Sequence, residues 1–256
     1  MVKGFYNLTS GILSQTRRLD VIGNNMTNLS TAGYKAETYT DTSFQEVLVS
    51  RVGNKDKSGA AVIGSETYIL APDQAYVNFS QGGLRETGLP LDFAIQGDGF
   101  FAVQTGGGVE YTRNGSFSLD EQGRLCLKGQ GLVLGVDGQP ITLTTDQVRA
   151  DASGRIFSEY DTVTGQGGEY LGQLAVYTFA DNEQLTLGED GLFQGQGAQA
   201  AQAPALLWGY TEESNVDMLR EMTQMMTAQR ALQGGAQVLK LYDSLLTKAT
   251  TELGRL

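Results

Sequence analysis

Histidine is absent from this 256-residue sequence, cysteine occurs once, and proline occurs only four times. Without histidine neither a Ser-His-Asp nor a Cys-His nucleophile scheme can be built, and zinc loses its commonest nitrogen ligand. The single cysteine, Cys126, excludes an intramolecular disulfide and reads as a small apolar residue on a strand. No apolar run is long enough to cross a bilayer. The start, Met1-Val2-Lys3-Gly4-Phe5, lacks the apolar h-region of a signal peptide, so any export is expected to use a route without a cleaved leader. Few prolines beside 34 glycines point to tight turns between short strands, not to a collagen-like or proline-rich chain.

Positive charge is also scarce. Lys and Arg number 18 against 29 Asp and Glu, for a net charge of −11. The excess is confined to the middle. Residues 1–40 carry four basic and two acidic side chains, residues 214–256 five and four, and residues 41–213 nine and twenty-three. A nucleic-acid binder needs the opposite sign, and an anionic membrane surface would repel this middle, so neither nucleic acid nor membrane insertion is expected.

What the sequence does have is a seven-residue rhythm at each end. Phe5, Ile12, Leu19 and Met26 are seven apart, and Leu8, Gln15, Ile22 and Leu29 follow three residues on. That is a coiled-coil seam of about four heptads. The helix is expected to end near Ser30, ahead of Gly33. At the other end Met218, Met225, Leu232, Leu239, Leu246 and Leu253 repeat the period, with Ala228, Gly235, Tyr242 and Ala249 offset by three. Ser214-Asn215 offers an N-cap. Gly234-Gly235 either allows close helix contact at the seam or marks a bend.

Between the two rhythms the grammar is that of short strands. Phe100-Phe101-Ala102-Val103, Arg124-Leu125-Cys126-Leu127 and Leu174–Phe179 are separated by turn signals at Gly97-Asp98-Gly99, Asn114-Gly115, Asp137-Gly138 and Asp190-Gly191. The expected fold is a mainly β central domain, an antiparallel barrel or sandwich, flanked by N- and C-terminal helices that form a coiled coil: α+β overall. The expected divisions are 1–35 for the first helix and its motif, 36–67 for an extended or loop-like connector, 68–195 for the β domain, 196–213 for a Gly/Ala/Gln-rich linker, and 214–256 for the second helix.

Residues 19–35, Leu-Asp-Val-Ile-Gly-Asn-Asn-Met-Thr-Asn-Leu-Ser-Thr-Ala-Gly-Tyr-Lys, resemble the N-terminal motif of the flagellar rod and hook proteins. The matching positions are Leu19, Asn24, Asn25, Asn28, Thr31, Gly33, Tyr34 and Lys35. Leu91–Phe101 and Tyr111–Phe117 resemble the start of that family's β domain. Asn215, Val216, Met225, Gln229, Arg230 and Ala231 resemble its C-terminal helix. Leu232-Gln233 departs from the aromatic and acid usual after Gln-Arg-Ala.

The resemblance implies a structural subunit of the flagellar basal-body rod, distal or proximal, that polymerises through its terminal helices. It implies copies of itself and other axial proteins (rod, hook) as partners, the flagellar type III export apparatus as its route, and no cofactor. From the residues alone, Asn24 and Asn28 lie four apart on one helix face where amides can bond backbone or a partner helix, and Gly33 suits a chain reversal.

Three rivals stand beside this reading. A hook or other axial component is one. A secreted β-domain binding or adhesion module with helical arms is another. The third, a paired-carboxylate enzyme, would draw on Asp92, Asp98, Asp120, Glu121, Asp137, Asp151 or Asp161. Most of these sit beside glycine or in turns, where Asp serves the backbone.

Overall fold

In a computed structural model of the chain, the described residues are all but 1, 52–60, 144, 159–167, 189, 202–203 and 254–256; side chains are described outside 2–3, 42–51, 61–74 and 252–253 as well. The chain divides into two compact units. One comprises 1–26, 37–76 and 217–256, and the other 27–36 and 77–216.

The first unit holds two long helices and a ribbon. Helix α1 spans Val2–Thr27 and helix α2 spans Met218–Leu253. Strand β1, Glu37–Arg51, pairs with strand β2, Ala61–Val77, as a two-stranded sheet. The connector expected over 36–67 as extended or loop-like is strand from Glu37 onward where it is described, and residues 52–60 lie outside the described residues. The β-branched content on both sides of the Gly53–Gly59 stretch carries two long strands.

The two apolar rhythms meet inside this unit. A methyl group on Gly235 would lie 3.2 Å from Ile12 Cγ1, and one on Gly4 would lie 3.8 Å from the Tyr242 hydroxyl. Rising numbers on α1 match falling numbers on α2, so the helices run antiparallel. Glycine at 235 allows the approach, and α2 continues unbroken through the Gly234-Gly235 pair. Helix α2 is capped by Asp217, whose Oδ1 accepts the N–H groups of Leu219 and Arg220 at 3.0 and 3.2 Å. Ser214-Asn215 does not cap it, because the Asn215 amide is engaged elsewhere. Helix α1 ends at Thr27, earlier than expected, so Leu29 falls in the turn beyond it.

The second unit is built of short antiparallel strands. Its largest sheet runs Thr186–Leu187, Phe193–Gln194, Gly108–Thr112, Phe100–Thr105, Gly131–Val133, Leu125–Leu127, Ser118–Leu119, with Val176–Thr178 and Gln199–Ala200 branching from Phe100–Thr105. The strand Phe100–Thr105 explains its own sequence. Phe101 and Val103 join one hydrophobic cluster with Phe93, Leu125 and Ile156, while Phe100 and Ala102 join another with Tyr111 and Phe193. Both faces are buried, so the run is continuously apolar and does not alternate.

Part of the stretch read as a linker is also strand. Leu206–Trp208 pairs with Phe93–Ile95, and Tyr210–Glu212 pairs with Leu84–Glu86. At 114–115 the Asn-Gly pair is not a hairpin turn. Gly115 has no positive φ, and a Cβ there would meet the Phe93 carbonyl oxygen at 1.7 Å, so close backbone approach requires it.

Two further turns share one design. In Asp120-Glu121-Gln122-Gly123-Arg124 the Asp120 Oδ1 accepts the N–H of Gln122 and of Arg124, and Oδ2 binds the Arg124 guanidinium. Asp151-Ala152-Ser153-Gly154-Arg155 repeats every one of these contacts. These carboxylates serve their own turns.

Candidate functional site

The end of the N-terminal motif and the start of the C-terminal one meet at a junction inside the β unit, built by residues 27–36, 77–83 and 211–216. Here the chain arrives from α1 and departs to α2. Glu212 lies at its centre with 0% exposure. Its Oε1 accepts from Lys35 Nζ at 2.5 Å and from the Gly82 N–H at 3.0 Å, and its Oε2 accepts from Arg113 at 3.3 Å. Lys35 and Arg113 are buried too, at 2% and 3%. Burial pushes the Lys35 ammonium below its ordinary pKa, and the hydrogen bond and charge of Glu212 oppose that. Arg113 also donates to the Gly97 carbonyl and lies 5.1 Å from the centre of the Phe100 ring.

The backbone is threaded through the same point. Gly33 donates its N–H to the Glu212 carbonyl at 2.7 Å. Its φ is +68°, and a methyl group there would lie 2.3 Å from both the Arg113 carbonyl carbon and the Asn114 nitrogen. Only glycine satisfies both conditions.

Asn215 ties the remaining strands. Its Oδ1 accepts the Ala36 N–H at 2.7 Å, and its Nδ2 donates to the Asn78 and Ser80 carbonyls at 2.8 and 2.9 Å. Lys35 also donates to the Ser80 carbonyl. An amide can accept and donate at once, which a carboxylate cannot. Asn25 uses the same chemistry in the helical unit. It is buried on α1, accepts the Glu37 N–H at 2.9 Å and donates to the Glu37 carbonyl at 2.8 Å, fastening the start of β1. Asp41 on β1 accepts from Ser14 at 2.6 Å and pairs with Arg18.

The other motif residues are spread along the chain. Asn28 accepts from Thr31 Oγ1 at 3.1 Å, and Tyr34 accepts the Asn215 N–H at its carbonyl. Val216 is buried, and Leu19 is half-buried. Asn24, Gln229, Arg230 and Ala231 are exposed on the helices and belong to the other unit. Glu212 was not singled out from the sequence. An acid two residues ahead of Ser214-Asn215-Val216, after the apolar Leu206–Trp208 strand, was the available signal.

Seam residues divide into two sets. Leu8, Ile12, Leu19, Met26, Met225, Leu232 and Leu239 are half-buried and Ile22 is buried, whereas Phe5, Met218 and Leu246 are exposed. The Leu253 side chain lies outside the described residues. Beside this seam α2 exposes further apolar residues. Leu219, Met222 and Met226 each follow a seam-side position by one residue, with Leu219 76% exposed. Val238, Leu241 and Leu245 each precede one, and Leu241 and Leu245 are 63% and 64% exposed. One residue is about 100° of helix rotation, so these two groups occupy opposite flanks of the seam.

Three family models match the chain in order. Residues 5–35 match the flagella basal body rod protein model, 94–193 the flagellar hook protein FlgE/F/G D1 domain, and 209–252 the flagellar basal body rod FlgEFG protein C-terminal model. The flagellar hook-basal body complex protein FlhO of Bacillus subtilis is 30% identical over 279 residues, covering 100% of both chains. The flagellar basal-body rod protein FlgG of the same organism is 32% identical, covering 96% of this chain and 97% of that one. The flagellar basal-body rod protein FlgF of Mesorhizobium japonicum is 31% identical over 99% of each.

Proposed function

The chain belongs to the flagellar basal-body rod protein family, and from that premise we propose that it polymerises through its two terminal helices. It is a structural subunit of the flagellar basal body. The finer reading is that its terminal helices form the packed inner layer of an axial shaft, and the β unit forms the outer layer. Copies of itself and other axial subunits are its neighbours. The flagellar type III apparatus exports it, and it carries out no catalysis.

The two exposed apolar flanks of α2 support this reading. One stripe of the helix is used against α1, and Leu219, Met222 and Met226 on one side and Val238, Leu241 and Leu245 on the other remain open to solvent. Exposed apolar patches of this kind mark interaction sites. Flanks facing opposite ways take one neighbour each, and such heterologous contacts continue into a filament when they do not close. The near-neutral ends suit dense packing, and the acidic middle suits a wet exterior.

Electron microscopy of the purified full chain under assembly conditions tests the reading. The wild type is expected to form rods, and Leu241→Asp is expected to remain as single particles with unchanged helix content. A wild-type chain that stays single at every concentration would overturn it.

A further inference from the structure

We propose that Met218, Met222 and Met226 make the assembly surface of α2 sensitive to oxidation, so that a peroxide converts one flank of the helix from adhesive to inert. The proposal rests on the assembly reading above. It adds a chemical modification of the contact with a second copy of this chain.

Methionine is concentrated where that contact is made. The chain has six methionines, and four of them, at 218, 222, 225 and 226, fall within nine residues. Met218, Met222 and Met226 are 47%, 42% and 52% exposed. They are four apart, so they form one ridge on α2 of the kind that a neighbouring helix takes into its groove. Leu219 lies beside that ridge and is also exposed. Met225 and Met26 are half-buried. The other flank, Val238, Leu241 and Leu245, holds no sulfur, so oxidation of thioethers acts on one flank only. A thioether is flexible and polarisable, which suits a surface that packs against another copy. It is also an apolar side chain that mild oxidants turn into a polar one.

The reaction is an oxygen-atom transfer. The sulfur lone pair attacks one oxygen of hydrogen peroxide, the O–O bond breaks, a sulfoxide forms and water leaves. Sulfur loses two electrons and the peroxide gains them. Two thiols reverse the step, returning the thioether and leaving a disulfide and water. Exposure governs the rate, so the three exposed thioethers react ahead of Met225 and Met26. Each sulfoxide then places a polar oxygen where the neighbouring copy would bury an apolar group, and burial without a donor is unfavourable. The half-buried thioethers are shielded, so the chain keeps its helices and loses its neighbour.

The test uses the full chain carrying Cys126→Ser, which removes the thiol that peroxide would also attack. Oxidised sites are mapped by peptide mass spectrometry, and the critical concentration for polymerisation is read by pelleting. In the free chain Met218, Met222 and Met226 are expected to oxidise at least about five-fold faster than Met225 and Met26, and to be protected in the polymer. Oxidation is expected to raise the critical concentration roughly ten-fold, with the helical circular dichroism signal unchanged. Methionine sulfoxide reductases with dithiothreitol are expected to restore it. Met218→Leu with Met222→Leu and Met226→Leu is expected to polymerise with or without peroxide. Met222→Gln with Met226→Gln keeps a helix-forming side chain but a polar one, and is expected to raise the critical concentration without peroxide.

If the oxidised chain polymerises as the untreated one does while Leu241→Asp does not, the oxidation proposal fails and the helix reading stands. If peroxide impairs the triple-leucine variant as much as its parent, or the helical signal falls with oxidation, the damage lies elsewhere and the proposal is wrong. It is equally wrong if the double-glutamine variant polymerises like its parent. Should the leucine variant not polymerise at all, the reductase rescue and the glutamine variant decide. If the untreated chain forms no polymer, both readings fall.

Discussion

Gly33 lies directly against the backbone of Arg113, 80 positions later in the chain, with room for a hydrogen atom and nothing more. This contact combines a left-handed backbone with a steric limit, and the two can be separated. Gly33→Ala is expected to cost about 2–4 kcal/mol, from the left-handed penalty together with overpacking. Gly33→Asn relieves the first cost but not the second, so it is expected to remain destabilising. Urea unfolding followed by Trp208, the single tryptophan, measures both. An Asn variant as stable as wild type would show that the conformation alone matters.

Glu212 neutralises two buried cations at once. Glu212→Gln keeps the shape and removes the charge, leaving Lys35 and Arg113 uncompensated. The expected loss is about 3–5 kcal/mol. Arg85→Gln, on an exposed pair, is expected to change stability by less than about 1 kcal/mol. Denaturant midpoints of the two variants against wild type check the contrast.

Acid stability follows from the two matching turns. The Asp120 carboxylate is held below its ordinary pKa, chiefly by the Arg124 backbone N–H and then by the Arg124 side chain and the Gln122 N–H, against a smaller opposing effect of burial than the first of these. For Asp151 burial pushes upward, and hydrogen bonds from Ser153 and Arg155 together outweigh it. A carboxylate depressed in the folded state contributes stability above its unfolded pKa of about 3.9 and loses it as pH falls through the folded value. Asp120→Asn with Asp151→Asn is therefore expected to be less stable than wild type near neutrality. The two should converge as pH drops below about 4. Unfolding curves across that range test it, and a constant difference at every pH would contradict it.

The adjacent glycines of α2 differ in their surroundings. Nothing lies within 4 Å of a methyl group placed on Gly234, while one on Gly235 meets Ile12 at 3.2 Å. Gly234→Ala is expected to stabilise the helix by about 1 kcal/mol. Gly235→Leu is expected to destabilise the α1–α2 pair by about 1–3 kcal/mol. Thermal melts of the helical circular dichroism signal read both.

What the sequence made legible was whatever repeats or punctuates locally. The heptads gave both helices, and continuous apolar runs such as Phe100–Val103 gave strands, because burial on one or both faces leaves a periodic trace. The ribbon was missed for a corresponding reason. Thr38, Thr40 and Thr42 are good strand formers, but the Gly53–Gly59 stretch between the strands dominated the reading. The Lys35–Glu212 pair was illegible because its members are 177 positions apart. Asn215 was found by resemblance, but its work on Ala36, Asn78 and Ser80 displaced the cap from Ser214-Asn215 to Asp217. Cys126 was read correctly as a partly buried strand residue.

Sedimentation velocity of the full chain, beside a chain ended at Val216, tests the central claim most directly. The cut spares Asn215 and Val216 and removes all of α2. The full chain is expected to yield fast-sedimenting polymer above a threshold concentration, and the shortened chain to stay monomeric with its β-sheet signal intact. Polymer formed equally well by the shortened chain would contradict assembly through the terminal helices.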